Sequence, residues 1–180
     1  MMITSLSMTC TQKKSDVNDK IALDRPIQLH PDNPHYFSYN GKPIALITSA
    51  EHYGALINLD FDYETYLETL AADGMNYTRI FTGTYFEING ESFGIQNNTL
   101  APMKDKVITP WAVVVTDLSG AIKYDLSNWN LAYFERLKDF MNIANDLNII
   151  VEVTLFSSIY RDMHWDICPQ NPDNNINIKH

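Results

Sequence analysis

Cysteine is nearly absent: Cys10 and Cys168 are the two in 180 residues, one in a polar N-terminal stretch and one in a loop-like tail. Neither a disulfide framework nor a zinc pattern can be built from them. Histidine is scarce too, with five residues and no second one at ligand spacing from His52, so no metal and no other cofactor is expected. Glycine numbers seven, and no candidate strand is followed by G-x-G-x-x-G or a G-K-[ST] ending, which makes a nucleotide-binding doubly wound sheet the weaker alternative. No apolar run reaches the length of a membrane span. Positive charge is in deficit: 13 Lys and Arg stand against 22 Asp and Glu, and the formal net charge of -9 argues against nucleic acid or an anionic membrane as partner. Neutral ligands remain open. Apolar residues are plentiful at 45%, enough for one sizeable core in an ordinary globular protein.

Residues 1 to about 25 show no apolar periodicity and read as a tail or linker. The segment from Met1 to Cys10 is uncharged, and a polar stretch from Thr11 to Lys20 follows it. This resembles the end of a bacterial lipoprotein signal, in which the cysteine receives the lipid, although the basic region and most of the apolar region are missing. Two readings stay open. Cys10 is a lipid anchor that places the protein at a bacterial cell envelope or periplasm, or it is an incidental cysteine in a disordered tail of a cytoplasmic protein.

The folded part is expected from residue 26 to 180. Asn40-Gly41, between His35–Tyr39 and Lys42-Pro43-Ile44, fits the two positive-φ positions of a type I′ hairpin. Pro43 to Phe86 then reads as a complete β-α-β unit. Residues 44–49 form a short apolar run suited to a strand buried on both faces, and it ends on the polar cluster Glu51-His52-Tyr53-Gly54. Tyr63, Tyr66, Leu67, Leu70 and Ala71 recur at helical spacing, with Asp60 or Asp62 as cap and Gly74 as a left-handed stop. Residues 76–81 are the next strand, and a parallel pair with a helical crossover follows.

Glu87 to about Asn128 is broken by Gly90, Gly94, Pro102, Pro110 and Gly120 and reads as a long irregular loop, with a short strand at Trp111–Val115. Ser127 is the expected cap of a second helix from Asn128 to about Leu147, with Phe134, Leu137, Met141 and Ala144 on one face and Trp129, Tyr133, Phe140 and Leu147 alongside, and Asn148 is its stop. Residues 149–156 are the third strand, and 157–180 read as loop. The helix-to-strand joins are tight and the loops leaving the strands are long and polar. That asymmetry belongs to an α/β architecture with its site at the carboxyl ends of the strands.

Ionisable groups in buried strands cost several kcal/mol unless paired, which draws attention to Glu51, His52, Arg79 and Glu152. Arg79 with a carboxylate is the natural pair, either as part of a site or as a core ion pair. His52 is either a site residue or a hydrogen-bonded wall residue. Aromatic residues make up 12% of the chain and many lie in the loops; Tyr53, Tyr85, Phe86, Trp111 and Trp165 are candidates for ligand contact or for packing.

Residues 47–54 (Ile-Thr-Ser-Ala-Glu-His-Tyr-Gly), 76–81 (Asn-Tyr-Thr-Arg-Ile-Phe) and the stretch from Asp125 through Phe134-Glu135-Arg136-Leu137 to Val151-Glu152-Val153 resemble the first three β/α units of cellulase-like glycoside hydrolases of clan A. The resemblance spans about residues 30 to 175 and lies in the order of several segments. It implies the N-terminal part of a (β/α)8 TIM barrel that hydrolyses O-glycosyl bonds with retention in an oligo- or polysaccharide. Arg79 matches the arginine that hydrogen-bonds the nucleophilic carboxylate. Glu51, His52, Tyr53 and Glu152 become sugar-contacting residues, and Tyr85, Phe86, Trp111 and Trp165 stacking residues. The acid/base glutamate and the nucleophile of that family end the fourth and seventh strands, beyond the units matched here, so this chain by itself is expected to be inactive. A non-catalytic α/β module that binds carbohydrate or protein is the alternative.

Overall fold

The computed structural model of the chain describes residues 27–49, 52–91, 94–115 and 122–178. The expectations for the tail 1–25, for Cys10 and for Glu51 lie outside the described residues. The chain divides into two compact units, residues 1–45 and 46–180. In the first, β1 (Gln28–Leu29), β2 (Phe37–Tyr39) and β3 (Lys42–Ile44) pair antiparallel in that order. Asn40 and Gly41 have φ of 49° and 73°, both left-handed, as the expected hairpin turn requires.

The second unit is mixed α/β. Its helix α1 (Tyr63–Ala72) starts at Asp62, whose carboxylate accepts from the Thr65 amide at 3.0 Å, and Gly74 follows its end at φ 76°. After it come β4 (Tyr77–Phe81), a 3-10 turn at Lys104–Lys106, β5 (Trp111–Val115), β6 (Ile122–Trp129), α2 (Leu131–Asp146), β7 (Ile150–Thr154), α3 (Asp162–Ile167) and a 3-10 turn at Pro172–Asn174. β4 and β7 run parallel with Arg79 opposite Glu152, and β5 and β6 form a separate antiparallel ribbon. No closed barrel is present among the described residues.

The core explains which face of the parallel pair carries chemistry. Leu67 and Leu70 from α1, Phe140 and Ala144 from α2, Ile80 from β4 and Ala55-Leu56-Ile57 form one buried cluster. Thr78 points the same way, since its hydroxyl lies 2.7 Å from the Tyr66 hydroxyl on α1. Because side chains alternate along a strand, Tyr77, Arg79 and Phe81 occupy the opposite face, away from the helices.

Three expectations are corrected. Residues 45–49 form no strand: Pro43 and Ile44 are used by the hairpin, and Ile47 is 52% exposed instead of buried on both faces. Ile47 still meets the start of β4, where its carbonyl accepts from the Asn76 amide at 3.0 Å and its amide donates to the Asn76 side chain at 2.8 Å. The side chain of Asn76 thus occupies the place where a backbone ladder would continue. Second, α2 begins at Leu131 after Asn130 and not at Asn128 after Ser127, because residues 122–129 are drawn into pairing with β5. Third, Tyr133 and Phe140 are its buried aromatics, whereas Phe134 and Met141 are each 38% exposed. The tail also holds more structure than a loop, in α3 and the turn after it.

Gly83, two residues past β4, has φ 106°, and a Cβ there would lie 3.1 Å from Pro110 Cδ and 3.3 Å from Ile57 Cγ2. Gly83→Ala is therefore expected to destabilise the protein by about 1–3 kcal/mol, measured by urea unfolding. A loss under a few tenths would show that the loop relaxes without cost.

Candidate functional site

Arg79 and Glu152 meet on the helix-distal face of the parallel pair, with Arg79 Nε donating to Glu152 Oε1 at 2.8 Å and Nη2 to Oε2 at 3.3 Å. The Tyr77 hydroxyl donates to Glu152 Oε2. These partners, the phenol first, hold the Glu152 carboxyl below its usual range, while burial and then Glu152 itself push the Tyr77 phenol up. The ion pair is half open to solvent, so its Coulomb energy is screened and it serves orientation more than stability.

Beyond the carboxyl end of β4 lies a second cluster that sequence reasoning missed. Glu87 is 3% exposed, and its Oε1 accepts from the Tyr53 hydroxyl at 2.6 Å and the Tyr85 hydroxyl at 3.1 Å. Its Oε2 lies 3.5 Å from Nε2 of the buried His164 on α3, an ion-pair distance when the imidazole is protonated. Among the described residues neither ring nitrogen of His164 has a hydrogen-bond partner. Burial and the neighbouring carboxylate raise the Tyr85 phenol to about 12 and push the Tyr53 phenol up as well. Tyr53 stacks on Phe81 with ring centroids 4.7 Å apart, and Tyr85 packs edgewise against the exposed Tyr160 at 6.2 Å. Aromatic rings therefore run continuously from the Arg79 face to the surface. One sequence signal could have found Glu87: a carboxylate directly after Tyr85-Phe86, in the loop that follows a strand.

The other sequence candidates scatter. Phe86 packs in the core, Trp111 sits on the separate β5–β6 ribbon, and Trp165 is partly exposed on α3 next to His164. His52 is tied to the α1 side of the core: its ring stacks on Phe61 at 3.7 Å and Nε2 lies 2.8 Å from the Thr99 hydroxyl. Glu51 lies outside the described residues. Among the described residues no three His, Cys, Asp or Glu side chains gather to hold a metal ion, and no helix is long and apolar enough to cross a membrane.

Burial lowers the His52 imidazole from its ordinary 6.5 to about 4. The unfolded chain then binds this proton below about pH 6.5 and the folded chain only near pH 4, so the contribution is full above pH 6.5 and is lost as pH falls towards 4. On going from pH 7.5 to 4.5, wild type is expected to lose about 2 kcal/mol more stability than His52→Gln, read from urea midpoints. Equal losses would remove His52 from the pH dependence.

No family model and no curated protein matches this sequence. Among solved structures, a Bacteroides vulgatus protein provisionally named a glycoside hydrolase is similar at 16% identity with a TM-score of 0.45. The match covers 72% of this chain and 24% of that one, so the chain spans about a quarter of its length.

Proposed function

We propose that this chain contributes the early β/α units of a retaining, cellulase-like glycoside hydrolase, a (β/α)8 enzyme acting on an oligo- or polysaccharide. The observation that carries this reading is the parallel β4–β7 pair with Arg79 opposite Glu152 on the helix-distal face, continued by aromatic rings at the carboxyl ends. In a barrel that face is the interior. Arg79 would hydrogen-bond the nucleophilic carboxylate, and Glu152 and Tyr77 would hold the guanidinium in place. Glu51 and Tyr53 would line the sugar site, with Tyr85 and Trp165 offering ring faces.

Retaining hydrolysis needs two carboxylates about 5 Å apart flanking the bond. Glu152 is engaged by Tyr77 and Arg79, and Glu87 by two phenols, so the proposal puts the nucleophile and the acid/base on segments other than these 180 residues. The same occupancy favours a second reading, a carbohydrate-binding α/β module without catalysis.

In a protein carrying the two catalytic glutamates on the same chain, Arg79→Ala is expected to lower kcat about 100-fold while KM changes by less than about threefold. An unchanged kcat would reject its role. The 180-residue chain assayed on aryl glycosides is expected to give no hydrolysis. Turnover by it would move catalysis to Glu51, Glu87 or Glu152.

A further inference from the structure

Beside Glu87 the second unit carries an open cavity of about 770 Å³, within the range of small-ligand sites. Four segments wall it: the loop after β4 at Phe86, the loop through Pro102 and Met103, β6 at Ile122 and Tyr124, and α3 at Ile167. Met103 and Ile122 are 54% and 53% exposed, so large apolar side chains are left open to water inside a concavity. A covering ligand would remove that surface from solvent. Lys104 and Asp166 also line the cavity, and neither side chain has a salt-bridge partner among the described residues. Together these features match a planar aromatic group carrying hydroxyl or carbonyl oxygens, with an apolar face for Met103 and Ile122 and polar edges for Lys104 and Asp166. A bare sugar would leave the apolar walls unsatisfied.

The cavity shares one residue, Glu87, with the site already described. Glu87 lines it and also anchors Tyr53 and Tyr85 through its carboxylate. We propose that it binds the aromatic aglycone of a glycoside whose sugar portion lies on the Tyr53, Tyr85 and Arg79 side. The sugar half rests on the glycoside reading above; the aromatic half rests on the cavity alone.

The test is a fluorescence titration of the 180-residue chain with free 4-methylumbelliferone, a planar hydroxylated aromatic without a sugar. Saturable one-to-one binding is expected, weakened about 10-fold or more by Met103→Glu and by Ile122→Glu with unchanged thermal midpoints, because both side chains are half exposed. Met103→Gln and Ile122→Gln serve if a charged variant does not fold. Lys104→Gln is expected to weaken binding about threefold by removing a donor. Absence of saturable binding, or binding that these variants leave unchanged, overturns the assignment. The two readings fail separately. If the free aromatic binds in this way and its glycosides gain no affinity over it, the glycoside reading falls and the cavity stands. If glycosides bind with affinities indifferent to Met103 and Ile122, the cavity assignment falls alone.

Discussion

Arg136→Ala is expected to lower the free energy of unfolding by about 3–5 kcal/mol, a large fraction of the stability of a domain of this size. The guanidinium on α2 donates to the carbonyls of Leu56 at 2.9 Å, Ala55 at 3.2 Å, Asn58 at 2.9 Å and Phe61 at 3.3 Å, and it lies 4.5 Å above the Tyr63 ring. Asn58 and Phe61 have second donors in the amides of Phe61 and Tyr63. The carbonyls of Ala55 and Leu56, in residues that are 0% exposed, depend on the arginine. Truncation orphans them in the core and removes the cation from the ring. Lysine has one compact ammonium in place of a planar fork, so Arg136→Lys should recover less than half of the loss. Urea unfolding of both variants measures this. A loss below about 1 kcal/mol for alanine would mean that water satisfies the carbonyls.

Glu87→Ala is expected to cost about 3–4 kcal/mol, because it strips the acceptor from the Tyr53 and Tyr85 hydroxyls and leaves a void beside the buried His164 in one step. Glu87→Gln keeps an oxygen for the phenols and should cost roughly half as much. A double-mutant cycle with Tyr85→Phe isolates one link, with a coupling of about 1 kcal/mol or more expected. Additive losses in that cycle would show that Glu87 and Tyr85 touch without depending on each other. Since the cluster orders the aromatic path next to Arg79, any carbohydrate binding should weaken in Glu87→Ala even where the variant remains folded.

Local chemistry made much of the fold legible. The apolar spacing of Tyr63 to Ala71 and of Phe134 to Ala144 marked the two long helices, Asp62 capped where expected, and Gly74 and Asn148 took the left-handed stops at φ 76° and 57°. The strands at Tyr77–Phe81, Trp111–Val115 and Ile150–Thr154 follow from their β-branched and aromatic content. Arg79 was marked for a carboxylate partner as a charge within a strand, and Glu152 is opposite it in a pair that is half open to solvent.

The sequence by itself therefore determined the two long helices, the cap of the first, the stops of both, the hairpin turn, and the pairing of Arg79 with a carboxylate. Each follows from preferences that act within a few residues or from the cost of an isolated charge. Only the tertiary structure decided that residues 45–49 would yield their place at β4 to the Asn76 side chain, and that 122–129 would pair with β5 and delay α2. It alone brought Glu87 and His164 together, from the loop after β4 and from α3. Neither residue carries a local pattern that announces the other. A buried carboxylate is defined by the segments that fold over it and the donors they bring, and that information is shared among Tyr53, Tyr85 and His164, written far apart along the chain.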